Sequence, residues 1–196
     1  MATTNGRIYI TYERERNTLR SILSFFSRGQ RVEIEEPKPI AHPVDVSKAE
    51  HFLAALTVKH GPIAAGDASI ATEAASALLL DGPALLALAA GNVRARAYVG
   101  WAVRSNTRVV APATSFLDPT AASVAAAVAD VLPIYASTAE LAATLLSRSR
   151  LSLPFDALSV ALASKLRPAA ILTRDVAGIG ALVRATNQTG ISVFPL

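Results

Sequence analysis

The chain has 196 residues, is 52% hydrophobic, contains no cysteine and carries a formal net charge of +4. This excludes an intrinsically disordered chain, disulfides and thiolate metal sites, and it fits a cytoplasmic protein. The mild positive charge permits a polyanionic partner without identifying one.

The opening Met1–Arg7 leads into a charged segment with no apolar stretch, so no secretory leader is expected. The first part reads as a small α+β extension, 1–72. Residues 7–13 alternate in period two and predict a strand, and a helix follows over about 14–27 with Leu19, Leu23 and Phe26 on one face. Residues 31–36 alternate again, and Pro37, Pro39 and Pro43 make an extended connector. A second helix starts after Asp45 or Ser47, with Phe52, Leu53, Leu56 and Val58 available for burial. A unit this small is marginal alone, so it is expected to pack on the rest of the chain or on a second copy. Gly61-Pro62 and Gly66-Asp67 mark a boundary.

The second part, 73–196, alternates strand and helix. Strands are predicted at 76–80, 108–111, 131–134, 169–173 and 191–194. Helices are predicted at about 83–91, 93–105, 115–129, 138–147, 155–166 and 176–186. This order predicts an α/β domain, three layers α/β/α around a mainly parallel sheet. The alanine-rich stretch around 120–146 is broken by Asp130, Pro133 and Glu140, which argues against a membrane partner.

Charge is distributed unevenly. Residues 1–75 are neutral, whereas 76–196 hold ten basic side chains against six acidic ones. Of those six, Asp81, Asp118 and Asp175 follow soon after predicted strands, and Asp156 opens a helix; Asp130 and Glu140 read as solvated. In open parallel sheets ligands sit beyond the carboxyl ends of the strands, so four carboxylates from separate segments can converge there. Such a cluster is costly unless cations offset it, and Mg²⁺ or Mn²⁺ prefers hard oxygen ligands. Asp81, Asp156 and Asp175 are the expected metal ligands, with Asp118 nearby and with Thr173 and Ser115 supporting the ligands from behind. Arg94, Arg96 and Arg174 are the expected RNA-binding residues. The competing reading is that each Asp only caps the helix after it.

Four stretches carry a family resemblance: 79–88 around Asp81, 109–114 running on to Asp118, Phe155 to Ala163 around Asp156, and Ile171 to Asp175. Together, in this order, they resemble PIN domains, and the chain is similar to the VapC-type ribonuclease toxins of bacterial toxin–antitoxin systems over about 76–196. The resemblance implies a Mg²⁺- or Mn²⁺-dependent endoribonuclease acting on RNA, a homodimer, and restraint by a small cognate antitoxin. It implies catalytic roles for Asp81, Asp118, Asp156 and Asp175. The chain departs from the family at Gly82 and Pro83, where Ser or Thr is usual, at Asp118, where Glu is usual, and after Asp175, where no further acid follows. These departures bear on metal affinity and turnover more than on fold. The alternative is a catalytically degenerate PIN module that binds RNA or a protein partner.

Other motifs point elsewhere. Gly178-Ile179-Gly180 lacks the third glycine of a dinucleotide site and reads as helix packing or a helix start. His42, His51 and His60 are spaced for surface or partner contacts, and Tyr98 and Trp101 for packing. If the first part acts like an antitoxin, Arg14, Arg16 or Lys48 should lie near the acidic cluster.

Overall fold

A computed structural model describes Thr3–Thr4, Arg7–Ile8, residues 46–61 and residues 75–196. Strands β1 (Thr3–Thr4) and β2 (Arg7–Ile8) form an antiparallel pair. Helix α1 spans Val46–His60. Then come β3 (Ala77–Leu80), α2 (Gly82–Ala89), α3 (Val93–Arg104) and β4 (Arg108–Pro112). A short 3₁₀ helix (Ala113–Leu117) precedes α4 (Pro119–Val128) and β5 (Asp130–Leu132). Helices α5 (Ala136–Ser149) and α6 (Pro154–Lys165) lead to β6 (Ala169–Thr173), α7 (Val176–Ala185) and β7 (Ile191–Pro195). The expected helix at 14–27, strand at 31–36, proline connector and boundary turns lie outside the described residues, as do Leu19, Leu23, Phe26, Arg14, Arg16 and His42.

The five strands from β3 onward form one all-parallel sheet in the order β5-β4-β3-β6-β7. Alternation along each strand assigns side chains to opposite faces. Leu78, Leu80, Val109, Ala111, Ala170 and Leu172 pack with α1 to α4 on one face. Ala77, Leu79, Val110, Ala169 and Ile171 pack with α5, α6 and α7 on the other. The three-layer α/β/α architecture follows from strands that are apolar on both sides, because each face must be covered. Among the described residues no helix is long and apolar enough to cross a membrane.

The segment expected as one helix over 115–129 is divided. Pro119 has no N–H to continue the earlier turn and disfavours helical geometry at the residue before it. Asp118 is accordingly extended (φ −117°, ψ 122°) and becomes the N-cap of α4. Helix α2 ends in a Schellman turn: Asn92 N–H donates to the Ala87 carbonyl and Gly91 N–H to that of Leu88. Gly91 adopts φ 78°, and a β-carbon there would strike the His60 ring.

Helix α1 packs on the sheet domain as expected. Ala49 and Leu56 are buried in the first cluster, with Phe52 and Leu53 against it, whereas Val58, expected to be buried, points to solvent. Tyr98 and Trp101 pack on the same cluster, and the Tyr98 ring lies 5.3 Å from that of Phe194. Two charge assignments need correction. Arg96 is not an RNA-facing side chain: it is 1% exposed and its guanidinium donates to the Gly61 carbonyl and, at 3.3 Å, to Thr57 Oγ1. It therefore ties the end of α1 to α3. Asp130 is not a solvated acid, since Arg108 Nε reaches its Oδ2 at 2.6 Å across neighbouring strands. Lys48 donates to the Ala126 carbonyl at 2.8 Å, in the last turn of α4, where a cation complements the helix dipole.

Replacing Arg96 with alanine leaves a part-buried carbonyl without its donor and a void between α1 and α3. Arg96→Ala is expected to lower the unfolding free energy by about 3 kcal/mol. Arg94→Ala, at an exposed position of α3, should change it by less than about 0.5 kcal/mol. Urea denaturation of the two variants checks the difference.

Candidate functional site

Strand order places the site. From β3 the chain moves to β4 and β5 on one side of the sheet, and from β6 it moves to β7 on the other. The connections after β3 and β6 thus leave in opposite directions, which opens a crevice at their carboxyl ends. Asp81 follows β3 directly, and Arg174 and Asp175 follow β6.

Asp81 is 2% exposed. It is the N-cap of α2: Oδ1 accepts from Ala84 N–H at 2.7 Å, and Pro83 presets the first turn. Its other oxygen, Oδ2, is buried and has no hydrogen-bond partner. Burial pushes the carboxyl up to about 6, opposed by the nearby Thr173 hydroxyl, the Ala84 N–H and the Arg174 charge, and reinforced by Asp156. The Thr173 hydroxyl favours the ionised form by proximity but makes no hydrogen bond to Oδ2. Capping and a site role are thus combined in one carboxylate, one oxygen for each.

Asp156 lies in the first turn of α6, where no side chain caps the helix. The capping explanation fails for it. It is half-buried, and its carboxyl is pushed up first by burial and then by Asp175. Asp175 is exposed and caps α7, its Oδ1 accepting from Gly178 N–H at 2.8 Å while its own N–H donates to Thr173 Oγ1 at 3.0 Å. A β-carbon on Gly178 would run into Asp175 Oδ2 and come within 2.8 Å of Leu153 Cδ1. The glycine makes room for the Asp175 cap at the start of α7, one of the two roles expected for it. Asp118 is exposed, and Oδ1 caps α4 through Thr120 and Ala121 N–H at 2.8 and 2.9 Å. For Asp118 capping accounts for the hydrogen bonds of Oδ1.

A partly open cavity of ≈ 220 Å³ joins these residues. Asp81, Asp118 and Asp156 line it with Thr114, Ser115 and Ser159, and its apolar wall includes Pro83, Leu86, Leu117 and Phe155. Asp175 is not part of the lining; it acts on the cavity through Asp156. Among the described residues, no set of three or more His, Asp or Glu side chains is arranged to hold one ion. The expected trio Asp81, Asp156 and Asp175 is therefore not a preformed cage. Ser115 is buried and its Oγ has no hydrogen-bond partner. Ser159 and Phe155 were not expected; their signal is helical spacing, since Ser159 lies three residues after Asp156 on the same face. Arg174 is exposed at the crevice, and Arg94 is exposed on α3.

Comparison of the chain with protein-family models, with curated proteins and with solved structures finds no match.

The raised Asp81 carboxyl has a definite consequence for the metal-free protein. Its folded value, about 6, exceeds the ordinary 3.8, so the native state holds the proton more tightly than the unfolded chain. Stability is lost as pH rises from about 4 to 6, and the penalty, up to about 3 kcal/mol, persists above that window. Asp81→Asn keeps the cap and removes the charge. In EDTA it should raise the unfolding free energy by about 1–3 kcal/mol at pH 7.5 and have little effect at pH 4. Thermal or urea unfolding at the two pH values measures this.

Proposed function

We propose that this chain is a divalent-metal-dependent endoribonuclease, the toxin of a toxin–antitoxin pair, as its resemblance to PIN-domain toxins implies. The observation that best supports the reading is the divided carboxylate of Asp81, whose buried Oδ2 is unpartnered beside Asp156 at the sheet's switch point. A buried carboxylate oxygen without a donor is costly, and a cation removes that cost. Mg²⁺ commonly takes one or two protein carboxylates and completes its shell with waters and substrate phosphates. Asp81 and Asp156 fit that donor set, whereas a cage including Asp175 does not.

In this reading Asp81 and Asp156 hold Mg²⁺ or Mn²⁺, which when bound activates water and offsets charge at the phosphodiester. Asp175 sustains the negative field around Asp156. Arg174, close enough to Asp81 to favour its ionised form, holds the phosphate backbone at the mouth of the crevice, with Arg94 on the flank. Asp118 organises the first turn of α4. A cognate antitoxin, a homodimer and a cytoplasmic setting belong to the same proposal.

Calorimetry should show Mn²⁺ binding to the wild type, weakened roughly 10- to 100-fold in Asp81→Asn. RNA cleavage should require Mn²⁺ or Mg²⁺, stop in EDTA and fall at least about 100-fold in Asp81→Asn and Asp156→Asn. Asp118→Asn, which preserves the cap, should retain most activity. Unchanged Mn²⁺ binding in Asp81→Asn would show that the metal is placed wrongly. Metal binding without cleavage would favour the degenerate module that binds without cutting, and cleavage surviving in Asp175→Ala and Asp81→Asn alike would point to a contaminant.

A further inference from the structure

The helices on the second face of the sheet carry cations without matching acids. Helix α7 holds no acid beyond its N-cap Asp175, and α5 holds only Glu140, near its start. Arg148, Arg150, Arg174 and Arg184 are all exposed, and among the described residues none of the four is ion-paired. Contacts gather them. Arg148 Nη1 donates to the Ala185 carbonyl at 3.4 Å, which sets the end of α5 on the end of α7. Leu153, in the loop that Arg150 opens, reaches the first turn of α7 at Gly178. Arg174 precedes that helix at the crevice. The four arginines therefore border one helix, α7, whose length is about 15 Å.

The electrostatics of helix ends accounts for a cation in the last turn of α5 or α7, but not for two details. A β-carbon on Gly180 would lie 3.6 Å from Arg184 Nη1, so this guanidinium folds back along α7 instead of staying at its carboxyl end. Arg150 caps α5 in the left-handed conformation (φ 56°, ψ 28°), where glycine or asparagine is usual and other residues are strained. Its side chain makes no hydrogen bond or ion pair that offsets the strain.

We propose that the α5–α7 face is a phosphate-binding track outside the cleft: single-stranded RNA held at the acidic edge continues past Arg174 and lays its backbone along Arg150, Arg184 and Arg148. The inference rests on the nuclease reading for the position of the reacting strand and extends it to a second surface. Clustered cations repel one another, and a run of phosphates offsets that repulsion while releasing its own counterions. Arginine suits the role because its fork of N–H groups meets phosphate oxygens in pairs. Contacts to the backbone add affinity without reading sequence.

The test uses the full chain with Asp81→Asn in EDTA, and a fluorescein-labelled single-stranded RNA tetramer and dodecamer read by anisotropy at several salt concentrations. On this background Arg148→Gln, Arg150→Gln and Arg184→Gln should each weaken dodecamer binding roughly 2- to 5-fold. Each should also lower the slope of log K against log salt by about 0.7, the figure for one single-strand phosphate contact. The triple variant should lose roughly 10- to 100-fold. Tetramer binding, which the cleft and Arg174 account for, should stay within about twofold. Arg104→Gln, at the end of α3 across the sheet, should bind both RNAs as the parent does. Arg150→Gly relieves the left-handed strain, so it should melt at the parent's temperature or above and still lose dodecamer affinity. A purely structural Arg150 predicts no such loss. The inference is overturned if the triple variant weakens tetramer and dodecamer equally, or if its salt slope is unchanged. It also falls if phosphatidylglycerol vesicles bind as tightly as the dodecamer through the same arginines. Cleavage and Mn²⁺ calorimetry on the wild type read the nuclease proposal separately. Length-dependent loss in a protein that cuts no RNA would remove the nuclease and keep the track; cleavage without length-dependent loss would remove the track alone.

Discussion

A parallel sheet can be crossed from strand to strand only by right-handed connections, and that constraint shapes the molecule. With α2, α3 and α4 on one face, the chain must walk outward from β3 through β4 to β5. With α5, α6 and α7 on the opposite face, it must walk the other way from β6 to β7. β3 and β6 are therefore neighbours whose following loops part, and the crevice between them is a product of handedness. Every polar group of the candidate site hangs on the loops and helix starts around that crevice or beside it.

Burial then acts on the side chains the crevice receives. Asp81 is drawn inside by its position between an apolar strand and an apolar helix. Its cap satisfies one oxygen and leaves the other without a partner, so the folded protein holds a carboxylate whose charge is disfavoured. Asp156 receives the same treatment in milder form, from partial burial and from Asp175. Asp118 and Asp175 are instead exposed and engaged with backbone N–H groups. Four acids of one chemical type thus occupy two physical states.

The arginines divide in the same way. Ten basic residues against six acidic ones in the second part suggest a surface made for polyanions. Yet Arg96 is internal, tying α1 to α3, and Arg108 is committed to Asp130. Arg174 is set apart by its place beside Asp81 rather than by its charge. A tally of charge says little until each guanidinium is located, since the same group serves as a strut, a strand clasp or a ligand contact.

The sequence by itself determined the α/β class, the order and approximate bounds of the strands and helices from β3 to β7 apart from the stretch 115–129, and the position of Asp81 at a strand end. These are legible because strands apolar on both faces, helical periodicity and caps such as Asp81, Asp118 and Asp175 are local physics. The division at Pro119 is local too, and belongs to the same class of signal. Only the tertiary structure decided that β6 lies beside β3, that Asp81 keeps one oxygen unpartnered, and that Asp156 turns toward the cavity while Asp175 turns to its helix. It alone decided that Arg96 is buried and that Ser115 and Phe155 line the cavity that Asp81 enters. These facts depend on desolvation and on contacts between segments distant in the chain, and neither is written in the neighbourhood of any one residue.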